Sequence, residues 1–173
     1  MKIGMVGLGR MGANMTKRLI EKGHEVAVYD PNAAAVAAAE AEGAQGTHSL
    51  DELVGALEAP RAVWLMVPSG EITQSSVAAL AKLLTAGDTI VDGGNSPYRD
   101  AQRWSEELRP AGLHFVDAGV SGGIWGLQVG YCLMVGGPDE AVDRLEPIFT
   151  ALAPPDGYAH VGPSGAGHYT KMV

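Results

Sequence analysis

The sequence predicts an α/β fold: a doubly wound, mainly parallel sheet with helices on both faces. Three observations lead there. Short apolar runs recur along the 173 residues and the gaps between the early ones carry helical patterns, which is the βαβ alternation. Most of these runs are continuous Val, Ile and Met rather than alternating with polar residues, as expected of strands buried on both sides. The first run enters a glycine-rich turn and then a helix, the order of a strand, a ligand loop and a helix N-terminus.

Taken in order, the first strand is expected at Lys2–Val6, and "GLGRMG" from Gly7 to Gly12 follows it directly. The next helix can turn Met15, Leu19 and Ile20 toward the sheet. A second strand is expected at Glu25–Tyr29, followed by "AAAVAAAEAEGA", an alanine-rich surface helix with Gly43 as its stop. "SLDE" at Ser49–Glu52 fits a capping box before another helix. Further strands are expected at Ala62–Val67, Thr89–Asp92, His114–Asp117 and Cys132–Val135. Pro97 and Pro138 mark helix starts. "APPDG" at Ala153–Gly157 reads as a loop before a short strand, "YAHV". A helix beginning near Gly165 has barely two turns before Val173, too short to hold itself in water without packing, so Lys171 is expected to be mobile or frayed.

The length suits one domain, residues 1–173, and 46% hydrophobic content suffices for one sizeable core. With 20 acidic against 12 basic residues the net charge is −8, which disfavours nucleic acid and anionic membrane surfaces as partners. No apolar run approaches the roughly 20 residues of a membrane span, and no basic leader with a cleavage site precedes the first strand. A soluble, cytoplasmic protein is expected. The single cysteine, Cys132, cannot form an internal disulfide and is expected to be a buried strand residue rather than a nucleophile. No metal site is expected.

The glycine loop carries the first chemistry. Gly7 permits a tight turn, Gly9 lets the backbone approach a pyrophosphate, Gly12 allows close helix packing, and the helix N-terminus offers amides to the anion. Leu8, Arg10 and Met11 complete this loop. Asp30 ends the second strand about 20 residues on, where a carboxylate can accept hydrogen bonds from the ribose hydroxyls of an adenosine. A 2′-phosphate there would meet a like charge, with only Arg61 or Arg10 as imaginable compensation, so NAD is expected over NADP. Asp30 as a helix cap is compatible with the same position. Three further loops, "VPSG" at Val67–Gly70, "DGGNS" at Asp92–Ser96 and "GVSGGIWG" at Gly119–Gly126, fall on the carboxyl edge where open α/β sheets bind ligands.

These stretches resemble the β-hydroxyacid dehydrogenase superfamily, and within it the 6-phosphogluconate dehydrogenases, over essentially the whole chain. "GLGRMGANM" with "GHEVAVYD" is similar to the superfamily's cofactor half, "GVSGGIWG" to its substrate loop and "GAGHYTKMV" to its catalytic-lysine segment. "DGGNSPYRDAQR" discriminates, because Gly94-Asn95-Ser96 resembles the 6-phosphogluconate type and not the serine-threonine pair of hydroxyisobutyrate-type relatives. The resemblance implies a Rossmann-type domain and NAD-linked oxidation of a sugar-acid phosphate at its 3-hydroxyl, followed by loss of carbon dioxide to give ribulose 5-phosphate. It implies Lys171 as general base, Asn95 between nicotinamide and substrate, and Ser121, Gly122 and Gly123 at the carboxylate and hydroxyl end. Val67, Pro68, Ser69 and Gly70 would border the cofactor, and His168 and Tyr169 are read as packing or helix-start residues. Ile124 stands where longer members often carry an acid, and Asp30 agrees with the shorter NAD-preferring branch. Members of the family continue past the lysine into an all-helical domain that supplies the general acid, the phosphate site and the subunit interface. The chain is therefore expected to be the cofactor-binding half of a homo-oligomeric enzyme, inactive alone. A stand-alone NAD-binding or redox-sensing module, or a dehydrogenase of another 3-hydroxy acid, stays open.

Overall fold

The computed structural model describes every residue, Met1–Val173. One eight-stranded sheet has the order β3-β2-β1-β4-β5-β6-β7-β8. Its strands are β1 (Lys2–Val6), β2 (Glu25–Tyr29), β3 (Gln45–Gly46), β4 (Ala62–Leu65), β5 (Thr89–Asp92), β6 (His114–Ser121), β7 (Cys132–Gly136) and β8 (Tyr158–Gly162). The helices are α1 (Arg10–Glu21), α2 (Ala33–Ala41), α3 (Leu50–Gly55), α4 (Glu71–Leu83), α5 (Tyr98–Leu108), α6 (Gly126–Val129), α7 (Asp139–Leu152) and α8 (Ala166–Met172). The first six strands run parallel, β7 pairs with β6 antiparallel, and β8 follows β7 in parallel. The short link through α6 lacks the length of a right-handed crossover, so the chain doubles back.

Both sheet faces are covered, which is why the strands read as unbroken apolar runs. Ile3, Met5, Val28, Trp64 and Val116 meet α1, α2 and α7 on one face. Val6, Ala27, Val63, Leu65, Ile90 and Phe115 meet α3, α4 and α5 on the other. Within α1, Met15 and Leu19 are fully buried and Ile20 packs at the margin of the core. The Ser49 hydroxyl accepts from the Glu52 amide at 3.1 Å as the capping pattern predicts, but Glu52 returns to the amide of His48 rather than to that of Ser49. Pro97 and Pro138 each sit at the cap position, one residue before the helix.

Three expectations are corrected. Cys132 is exposed: it is the first residue of β7, paired with Ser121 where the sheet outruns its helical cover. The fourth strand stops at Leu65, leaving Met66 and Val67 to begin a loop. The terminal helix is not frayed, because α8 lies in close packing on β6 and β7. Gly167 makes this possible; a Cβ there would press on the carbonyls of Asp117 and Met134. A seven-residue helix is marginal by itself, and the sheet supplies the packing it lacks.

Candidate active site

The first residue after each of three strands extends the ladder. The amides of Gly7, Met66 and Gly93 donate to the carbonyls of Tyr29, Val6 and Leu65 at 2.8–2.9 Å. The loops therefore leave the sheet at one level, forming a crevice along the carboxyl edge.

The three glycines of the first loop have three separate causes. Gly7 has φ +94°, and a Cβ on it would strike the carbonyl of Met66. Gly12 sits so close to Gly7 that any side chain would collide with the latter's carbonyl. Gly9 is different: a Cβ there meets nothing within 4 Å, so the fold leaves that space open toward the crevice. Gly9 is also the N-cap of α1, without a side-chain cap and without an acid in the first turn. The first-turn amides have no partner inside the helix, and an anion at this end is favoured by the helix dipole. These features fit the pyrophosphate of a dinucleotide.

Two adjoining clefts share Gly9, Met66, Val67 and Pro68. One, of about 540 Å³, brings together Arg10, Met11, Gly12, Ser69, Asn95 and Lys171 with Val120 behind them. The other, about 360 Å³, is lined by Gly7, Asp30, Pro31 and the apolar Leu50 and Ile72. An elongated ligand with a charged middle and two flat ends matches this pair. The Thr73 hydroxyl donates to the Pro68 carbonyl at 2.8 Å and pins the shared wall to α4.

Asp30 is held before any ligand arrives. Its Oδ2 accepts from the Leu8 amide at 2.7 Å and its Oδ1 from the Asn32 amide at 2.8 Å, while Asn32 caps α2. Leu8 thus acts through its amide, and its side chain is buried. Each carboxylate oxygen keeps a lone pair. Arg61 does not reach this region. It precedes β4 at the opposite edge of the sheet, bonded to Asp88 at 3.1 Å.

At the far end of the larger cleft the Lys171 ammonium donates to Asn95 Oδ1 at 2.6 Å. Lys171 is half-buried, and burial pushes its pKa below the ordinary value. A lysine in this state is a better base near neutrality than a solvated one. Its helix reaches the site because Gly119 of β6 has no side chain; a Cβ there would lie 2.7 Å from the Lys171 Cβ. Ser121, Gly122 and Gly123 do not line either cleft. They lie at the end of β6 and in the turn beyond, where Ile124 and Trp125 are about 60% exposed. Gly70 likewise stays outside the clefts and caps α4 with φ +97°.

Met66 and Val120, not among the expected site residues, also line the larger cleft, and His168, expected as a packing or helix-start residue, has a polar partner as well. His168 is buried with Nε2 3.3 Å from Asp92 Oδ2, and its amide donates to Asp117 Oδ2 at 2.8 Å. Burial raises the Asp117 pKa above the ordinary carboxylate value despite the opposing amides of His168 and Gly165. The available signal was two acids, Asp92 and Asp117, inside apolar strands, where an unpaired carboxylate is costly.

Comparison with known proteins agrees with this geometry. Residues 2–162 match the family model described as the NAD binding domain of 6-phosphogluconate dehydrogenase. The chain is 44% identical over its whole length to the NAD(+)-dependent, decarboxylating 6-phosphogluconate dehydrogenase of Haloferax volcanii, of which it spans 57%. It is 39% identical to the NADP(+)-dependent, decarboxylating enzyme of Bacillus subtilis, of which it spans 38%. Among solved structures, Plasmodium falciparum 6-phosphogluconate dehydrogenase superposes with TM-score 0.91 at 28% identity, covering 99% of this chain and 39% of that one. Mycobacterium tuberculosis 3-hydroxyisobutyrate dehydrogenase gives 0.89 at 30%, covering 99% and 57%. The strand order, the glycine loop with its open Cβ position and the match over residues 2–162 place this chain in the family of 6-phosphogluconate dehydrogenase NAD binding domains.

Proposed function

We propose that the chain is the cofactor-binding half of an NAD-dependent enzyme that oxidatively decarboxylates 6-phosphogluconate to ribulose 5-phosphate, and that it does not turn over alone. The observation that carries this reading is the Lys171–Asn95 hydrogen bond of 2.6 Å in the same cleft as the α1 N-terminus. A pure cofactor module needs neither side chain. The first-turn amides of α1 would hold the pyrophosphate, and Asp30, fixed by Leu8 and Asn32, would accept from the ribose hydroxyls. A 2′-phosphate would meet the Asp30 carboxylate with Arg61 out of reach and Arg10 lining the other cleft, which supports NAD over NADP. When bound, NAD supplies the hydride acceptor. Lys171, shifted toward its neutral form, would take the proton of the 3-hydroxyl, and Asn95 would hold its Nζ in place. Ser121, Gly122 and Gly123, outside the cleft in this chain, would close on the substrate's carboxylate end.

Residues that bind the substrate phosphate and protonate the product are assigned to sequence beyond this half, along with the oligomer contacts. The chain spans little more than half of the Haloferax relative, which supports that division. Following NADH absorbance with saturating 6-phosphogluconate tests it, comparing the chain with one extended through its natural downstream sequence. Loss of positioning removes about 7–11 kcal/mol of available orientation, so turnover by the chain alone should be negligible. Equal rates would contradict the half-enzyme reading. Failure of the extended protein on 6-phosphogluconate with turnover of 3-hydroxyisobutyrate would favour the other substrate.

A further inference from the structure

We infer that Asp92 and His168 are positioning residues that set the register between Lys171 and Asn95. The inference rests on the reading of Lys171 as the base. Its ground is a two-rung arrangement between β5 with its following loop and α8. His168 and Lys171 are three apart and share one face of α8. Asp92 and Asn95 are also three apart, the first ending β5 and the second in the loop after it. The two pairs meet rung on rung, His168 Nε2 to Asp92 Oδ2 at 3.3 Å and Lys171 Nζ to Asn95 Oδ1 at 2.6 Å.

The lower rung is built to be rigid. Asp92 and His168 are 0% and 1% exposed, so neither can exchange its partner for water. Asp92 stands in register between Leu65 and Asp117 in the middle of the sheet. Its second oxygen, Oδ1, accepts from the Gly94 amide at 2.9 Å and so fixes the backbone one residue before Asn95. His168 is fixed from the other side by the Asp117 carboxylate, which also accepts from the Gly165 amide at 2.6 Å. With Asp92 as a carboxylate the imidazole must donate from Nε2. The upper rung has no such support: Asn95 is exposed, Lys171 is a long side chain, and α8 has seven residues. Without the lower rung, α8 keeps its packing and the amide bonds of its N-terminal end to Asp117, but no buried side-chain bond ties it to the loop that carries Asn95.

The test uses this chain as it stands. Trace acylation of its five lysines across pH, read by mass spectrometry, reports the ionisation of Lys171 separately from Lys2, Lys17, Lys22 and Lys82. His168→Met keeps the volume and removes the bond; His168→Gln can still donate to Asp92. The expected result is an upward shift of the Lys171 midpoint in the Met variant, with several-fold lower reactivity at neutral pH. The Gln variant should stay close to wild type, and NAD affinity should be unchanged in both. Should His168→Met not fold because it strands the Asp92 charge, Asp92→Asn/His168→Met removes that charge and is read in its place. An unmoved Lys171 midpoint in a folded bond-lacking variant overturns the inference, as does a Gln variant that shifts as far as Met. A wild-type chain that binds no NAD but still separates Met from Gln would support the tether while overturning the function it serves.

Discussion

The two edges of the sheet use ionisable residues in opposite ways. At the amino edge, Asp88 is completely buried and accepts from the Arg61 amide, the Arg61 guanidinium and the Thr85 amide at 2.6–3.1 Å. Burial alone would raise its pKa, but the hydrogen bonds and the Arg61 charge outweigh it and hold the carboxyl below its ordinary value. Arg144 closes the same edge on the Gly87 carbonyl and the Thr89 hydroxyl, both at 2.8 Å. At the carboxyl edge, burial wins for Asp117 and Lys171, raising one and lowering the other, so each is pushed toward its neutral form. One edge pairs its buried carboxylate with a guanidinium and contributes stability. The other holds groups in states that cost stability and leaves open space at Gly9, as expected of a site shaped for something not of the chain itself.

The largest separation of the two edges should come from Asp88→Ala. Removing one member of a buried, hydrogen-bonded pair costs about 3 kcal/mol, measurable by urea unfolding, while NAD affinity in the folded protein stays the same. Gly9→Val should do the reverse. Its Cβ enters empty space, so the unfolding midpoint holds, yet calorimetry should show NAD affinity reduced about a hundredfold, roughly 2.7 kcal/mol. A wild-type titration with both cofactors comes next, with NAD favoured over NADP by about 2 kcal/mol. Asp30→Ala should narrow that gap chiefly by weakening NAD, and equal wild-type affinities would remove the assigned role of Asp30.

The smallest effect is in the pH dependence of stability, where both groups should make stability rise with pH, Asp88 in the acid range and Lys171 in the alkaline range. Asp88 has its folded pKa below the ordinary 3.8, so its stabilisation is full above that value and is lost as pH falls through the folded one. Lys171 has its folded pKa below the ordinary 10.5, so the unfolded chain binds more protons in between, and stability rises with pH across that window. Unfolding curves of Asp88→Asn and Lys171→Met against wild type check the two slopes. A Lys171→Met variant with an unchanged alkaline slope would mean that burial does not perturb this lysine.

How much was legible beforehand follows the same division. Seven of the eight strands could be read because burial on both faces writes itself as continuous apolar runs, from "KIGMV" to "TIVD", whereas the two-residue edge strand β3, Gln45–Gly46, carries no such run. The glycine loop and Asp30 could be read because their spacing is local. What could not be read depends on contacts between distant residues. The partner of His168 lies 76 positions away, and nothing near "GHYTK" announces it. The same is true of α8, whose length argues for fraying until Gly119 and Gly167 are seen to bring it against the sheet. Cys132 was misplaced because the alternation of a strand does not tell where the sheet outgrows its helices. Of the loop Gly119–Gly126, Val120 lines the cleft while Ser121, Gly122 and Gly123 do not.

The most direct test is an amide NMR titration of the isolated chain with NAD. The account predicts saturable shifts confined to the carboxyl edge, at Gly9, Arg10, Met11, Asp30, Ser69 and Asn95, with Arg61, Asp88 and Gly87 unmoved. No saturable shifts, or shifts centred on the Arg61–Asp88 edge, would contradict it.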